Sequence, residues 1–283
     1  MEPGNVSATP NSATANCGWR AVLRLPPGLL LAALLLVLPA RAAAAPPPKP
    51  PADIPMPTFS AKFAESAQIK LIAARKRFQA DTNSVPAAWA LGEACFWRGE
   101  FAVEAESRKA LANEGIAICR ALTLRAPTVP EGHYYLALNL GQLARTKWLE
   151  ALGLVKELEH GLQLASGMNP RLDHAGPDRC LGLLYRDAPG WPLSVGSKSK
   201  VRTHLLRAVE LAPDFPENHL VLLETWLAWK EKKPLPHDLD TLAALLPKAR
   251  KQLTGAAWTA HWDDWERRWH AVQTKAVELL GKK

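Results

Sequence analysis

From Phe59 to the C-terminus, apolar residues recur three and four positions apart, and no stretch keeps up a period-two alternation of β-branched residues. The pattern predicts an all-α chain with helices over residues 60–80, 86–98, 101–126, 130–147, 149–167, 175–186, 199–212, 216–232, 236–253 and 256–281. Pro86, Pro130, Pro177 and Pro216 each fall in the first turn of one of these helices, where a missing amide proton costs nothing. Asp187-Ala-Pro-Gly-Trp-Pro ends one helix, and the loop it opens runs on to Lys198. The last helix carries the clearest seam. Trp258, Trp262, Trp265, Trp269, Val272, Ala276 and Leu279 follow in alternating steps of four and three, the ~3.5-residue spacing of a helix packed along a partner surface. Asp263, Asp264, Glu266, Arg267, Arg268 and Lys275 are expected on its solvated faces.

The beginning of the chain reads differently. Arg20 and Arg24 precede the apolar run Leu29 to Leu38, followed by Pro39-Ala-Arg-Ala and further alanines. A basic region, a short apolar run and an A-x-A site make a secretory signal peptide; a spanning helix needs ~20 apolar residues. Residues 1–42 are therefore expected to be a cleaved leader, with the mature protein exported to the periplasm. Cys17 lies before the apolar run, so it is no lipobox cysteine and no lipid anchor is expected. Residues 43–58, rich in proline, form an extended linker.

Composition narrows the function. The chain is 48 % hydrophobic and has 11 Trp against 3 Tyr, a choice that suits helix packing and ligand-lined grooves alike. The net charge is +8, but part of it lies in the leader and no clustered basic stripe occurs, so nucleic acid is not an expected partner. Beyond the leader, Cys95, Cys119 and Cys180 read as small buried apolar residues. A helix turn near Gly99 would put Cys95 and Cys119 some fifteen residues out of register, ~22 Å at the helical rise, beyond the ~7 Å a disulfide allows.

The helices also repeat. Leu91-Gly92, Cys95, Gly99 and Phe101 resemble the first helix and turn of a tetratricopeptide repeat, and Ala121-Leu122, Leu124 and Pro127 resemble the end of its second helix. Ala208-Val-Glu-Leu-Ala-Pro213 running into Pro216-Glu-Asn is the clearest junction between copies. Such pairs cannot bury their apolar faces alone and must stack. The expected fold is a tetratricopeptide-repeat solenoid of about four helix pairs over residues 59–234, capped by C-terminal helices over 235–283.

Three segments are more specific than a generic repeat: GHYYLALNLGQLARTK (132–147), AGPDRCLGLLYRDAPGWPLSVGS (175–197) and AVELAPDFPEN (208–218). Together they resemble the T component of tripartite ATP-independent periplasmic (TRAP) transporters, over roughly residues 70–235. The resemblance implies a helical solenoid with an apolar cavity that associates with a periplasmic solute-binding protein. It also implies homo-oligomers, trimers being known in the family. A general envelope scaffold, binding peptides or proteins with no role in transport, is the alternative reading.

Several residues stand out as candidate ligand contacts. Tyr135, Asn139, Gln142 and Thr146 form one polar stripe on an otherwise apolar helix. They either line a groove or make interhelix hydrogen bonds. Arg179 either receives a carboxylate ligand or pairs with a structural carboxylate such as Asp173. Trp191 either caps a ligand pocket, shared with the polar stripe, or plugs a gap between repeats. The amides of Gly196, Ser197 and Lys198 stand where a helix N-terminus could hold an anion, but the spacing of a phosphate-binding loop is missing. No HExxH, no close His/Cys cluster and no G-x-S-x-G elbow occurs. The expectation is a binding protein without catalytic residues, metal or cofactor.

Overall fold

The computed structural model describes residues 61–146 and 151–281, so the expected leader and linker lie outside the described residues. Those residues form ten α-helices: α1 (Ala61–Ala80), α2 (Val85–Glu100), α3 (Ala105–Arg125), α4 (Pro130–Ala144), α5 (Ala151–Met168), α6 (Gly176–Asp187), α7 (Lys198–Leu211), α8 (Pro216–Trp229), α9 (Leu235–Gln252) and α10 (Ala256–Gly281). Among them there is no strand, only an isolated bridge between Gly190 and Gly196.

Local chemistry sets the boundaries. Prolines stand at the first or second position of α2, α4, α6, α8 and α9. The Ser84 hydroxyl accepts from the Ala87 amide at 3.3 Å, and that of Ser197 from Lys200 at 3.4 Å, satisfying N-terminal amides of α2 and α7. The largest departure from the sequence reading is the start of α3, expected near residue 101. Buried Arg108 reaches back to the carbonyls of Gly99, at 3.4 Å, and Ala102, and this holds residues 101–104 as a turn.

Helices α1 to α9 pack chiefly on their neighbours in sequence, most extensively α2/α3, α4/α5, α3/α4 and α6/α7. Helix α1 packs on α2, and α2 also touches α4. One turn is built twice. Ala126-Pro-Thr-Val-Pro-Glu-Gly-His133 and Ala212-Pro-Asp-Phe-Pro-Glu-Asn-His219 join α3 to α4 and α7 to α8. Ala126 (φ −139°, ψ 69°) and Ala212 (φ −138°, ψ 70°) have the same backbone. In both copies the histidine Nε2 reaches the carbonyl of the proline six residues earlier, at 2.8 Å for His133 and 2.7 Å for His219.

One large apolar core runs from α2 to α10, with a smaller cluster of Leu71, Ala74, Leu91, Ala94 and Cys95 between α1 and α2. Helix α10 buries Trp262, Trp265 and Val272 in the large core, with Trp258, Trp269 and Leu279 half-buried against it, and Ala276 is buried too. Rather than standing only at the end of the stack, α10 lies along α8 and extends its first turns toward α1 and α2. Two side chains assigned to its solvated faces are in fact buried: Asp264 and Arg268. The Arg268 guanidinium meets Glu217 at 2.5 Å, Glu224 at 2.9 Å and Asp264 at 3.0 Å. Periodicity along α10 could not reveal those carboxylates, because two of them come from α8.

Cys95 and Cys119 are free and buried. The spacing argument set them too far apart, since the turn falls after Gly99 and the Cys119 sulfur lies against Gly92, one helical turn from Cys95. Cys180 is buried as expected, but it is disulfide-bonded rather than a free thiol.

Candidate functional site: a polar core beneath the C-terminal helix

The segment leading into α6 holds three successive non-glycine residues in the left-handed region: Asp173 (φ 49°), His174 (φ 52°) and Ala175 (φ 62°). Such backbone costs roughly 1–2 kcal/mol per residue and persists only where its surroundings over-determine it. Here Arg179 and Asn218 do so. Arg179 Nη1 donates to the carbonyl of His174 at 3.1 Å and to Asn218 Oδ1 at 2.9 Å. Asn218 Nδ2 donates to the same His174 carbonyl at 3.1 Å and to Ala208 O at 3.0 Å. Arg179 Nη2 stands 3.1 Å from Asp173 Oδ2, both side chains fully buried, and Tyr134 donates to that oxygen at 2.6 Å. Gly176 makes this possible: a Cβ there would lie 2.3 Å from the Tyr134 hydroxyl.

Glu93, on α2, faces this cluster. Burial pushes its carboxyl up to about 8, and the charge of Asp173 adds to the shift. Tyr135, Lys70 and the Trp97 indole oppose it. Glu93 is thus largely protonated at neutral pH and able to donate as well as accept. The Trp97 indole nitrogen is buried without a well-formed hydrogen bond.

Aromatic rings close the cluster on the α10 side. His174 stacks on Phe215 at 4.4 Å, and His261 meets Trp97, Trp258 and Trp265 at 5.3–5.5 Å between centroids. Burial holds His174 and His261 down at about 4, so both are neutral at pH 7. Between α1, α2 and the first turns of α10 a cavity of about 50 Å³ remains, lined by Phe63, Lys70, Trp97, Phe101, Ala260 and His261 among others. It is a half-open cleft with room for a few waters. Among the described residues, no three His, Cys, Asp or Glu side chains are arranged to hold a metal ion.

The candidates from sequence separate into three places. Tyr135 and Arg179 belong to this core, Arg179 with the structural partner Asp173. Asn139 and Gln142 lie further along α4, in helix junctions. Asn139 donates to Gly92 O at 2.9 Å and to Tyr135 O at 2.8 Å, and Gln142 donates to buried Glu100, which also pairs with Arg145 at 2.8 Å. Thr146 bonds its own helix at Leu143 O, 2.8 Å away. Trp191 neither joins the stripe in a cavity nor plugs a gap: it is 88 % exposed. The amides of Gly196 and Ser197 are taken by Pro189 O at 2.9 Å and Tyr185 O at 3.1 Å, so they are not open to an anion.

Glu93, Asn218 and His261 were not anticipated. Asn218 had a signal, since it ends the Pro-Glu-Asn junction; a single glutamate and a single histidine on amphipathic helices had none. No family model matches the chain, and no curated protein sequence is significantly similar to it.

Proposed function

We propose that this chain is a non-enzymatic, exported tetratricopeptide-type repeat protein resembling the T components of TRAP transporters. It binds a small apolar or amphipathic solute, docks a periplasmic solute-binding protein, or both. The observation that carries this reading is the aromatic-walled cavity lined by Trp97 and His261, where the buried Trp97 indole N–H in turn adjoins the protonatable Glu93 of the polar core. Apolar walls with a few convergent polar groups are the usual makeup of a ligand site. The turn built twice at residues 126–133 and 212–219 supports the repeat assignment.

Native mass spectrometry of protein purified from its own envelope tests the reading. A small molecule that leaves on denaturation, with weakened retention in Trp97→Ala, is the expected result. Protein that carries no small molecule and captures no solute-binding protein would refute it. The scaffold alternative is favoured by one feature: α8 already accepts an amphipathic helix, α10, whose His261 also reaches Trp97 of α2. Retention of peptides alone would select it.

A further inference from the structure

The loop between α6 and α7 ends in an apolar tip. Trp191 is 88 % exposed, Leu193 56 %, and Pro192 between them is exposed as well. The tip is held by its own backbone: the amides of Leu193 and Ser194 donate to Gly190 O at 3.1 and 3.3 Å, and Gly196 donates to Pro189 O at 2.9 Å. Gly196 has no room for a side chain, since a Cβ would lie 2.2 Å from Ala188 O. The chain therefore presents three apolar residues on a braced turn.

Basic residues share this end of the bundle. Arg186 Nη1 donates to Thr225 at 3.3 Å, bringing the ends of α6 and α8 together. Lys198 lies 5.2 Å from the Trp229 ring, joining the start of α7 to the same end of the bundle. Three carboxylates there are matched, Asp187 by Arg186, Glu231 by Arg202 and Glu159 by Lys200, while Asp238 accepts from the Trp226 indole and Asp240 is exposed. Exposed Lys198, Lys230 and Lys233 outnumber Asp238 and Asp240 at the end of the bundle from which the tip projects.

We infer that this end of the protein docks peripherally on an anionic lipid bilayer, with Trp191 and Leu193 entering the headgroup region and the lysines facing the lipid charges. Indole prefers the membrane interface, where its ring is apolar and its N–H stays wet. Lysines close to an anionic surface add electrostatic attraction. A projecting tip needs no matching concavity, whereas a stable protein partner needs roughly 800 Å² of complementary surface on each side.

Vesicles of phosphatidylcholine, with and without phosphatidylglycerol, test the inference on the full chain. Wild type should bind the mixed vesicles, release in high salt, and ignore phosphatidylcholine. Trp191→Ser/Leu193→Ser and Lys230→Glu/Lys233→Glu should each weaken binding roughly tenfold or more without changing the melting temperature. Brominated lipid should quench wild-type tryptophan fluorescence more than that of Trp191→Phe, a local readout independent of any contact by the N-terminal apolar run. Equal vesicle binding and quenching by wild type and variants would overturn the inference. So would loss of an acidic protein partner in the same variants with no binding to either vesicle.

Discussion

The indole N–H of Trp265 donates to Glu217, 48 residues earlier in the chain, at 2.8 Å. Glu217 also receives Arg268, so one carboxylate of α8 is gripped twice by successive turns of α10. Burial pushes against the charge on Arg268, yet Glu217 and Asp264 hold its pKa well above the usual value. The apolar seam brings α10 to α8, and this buried charge cluster fixes where along α8 it stops.

Helix α10 should accordingly be a stability element as well as a cover. Trp265→Ala is expected to cost about 3–5 kcal/mol, as for other buried aromatic truncations. Arg268→Ala should cost a similar ~3–5 kcal/mol, because Glu217, Glu224 and Asp264 are left facing each other in a buried site. Removal of residues 256–283 should give an aggregation-prone protein. Urea unfolding and light scattering check these outcomes; a truncated chain equally stable and monodisperse would contradict them.

Asn139 occupies space that Gly115 leaves open on α3, since a Cβ at Gly115 would lie 2.4 Å from the Asn139 amide. Asn139→Ala should lose about 1–3 kcal/mol with its hydrogen bond to Gly92. Gly115→Ala should lose a similar ~1–3 kcal/mol by overpacking. The double variant should lose less than the sum, because each change relieves the other. Strict additivity in a double-mutant cycle would show that the two positions do not share this space.

Stability should peak near neutral pH. The carboxyl of Glu93 titrates at about 8 in the fold against 4.5 when exposed, so the unfolded chain holds fewer protons between those values and stability falls as pH rises through them. His174 and His261 titrate at about 4 against 6.5, so their contribution is present above 6.5 and is lost as pH falls toward 4. Two histidines outweigh one glutamate below 6.5, and Glu93 alone acts above it. Melting temperatures across this range should rise, pass a maximum and decline, with Glu93→Gln flattening the alkaline limb and His261→Phe the acid limb. Unchanged limbs in both variants would contradict the assignment.

Trp191→Ala should leave stability within about 0.5 kcal/mol of wild type, as for other exposed positions. Chemical denaturation decides this, and a loss of several times that amount would mean the indole packs against the fold.

The proposed export predicts a mature chain that begins near residues 43–45 without an acyl group. N-terminal sequencing of the envelope fraction checks this; an acylated N-terminus would contradict it.

All-helical architecture was legible from the sequence because helices depend on local signals. Pro130 and Pro216 sit where a lost amide proton is harmless, and the spacing of Trp258, Trp262 and Trp265 registers one face of one helix. The tertiary structure alone decided which polar residues were inside. Asp264 and Arg268 look solvated on the α10 wheel, but their environment is set by Glu217 and Glu224 on another helix. Trp191 looks like a buried plug by residue type, yet the braced turn from Ala188 to Ser197 turns it outward. Glu93 becomes a protonatable group only because folding buries it near Asp173, 80 residues later in the chain. Periodicity reports the direction a side chain leaves its own helix. Burial, charge and protonation depend on what other segments place there, and that information resides in long-range packing.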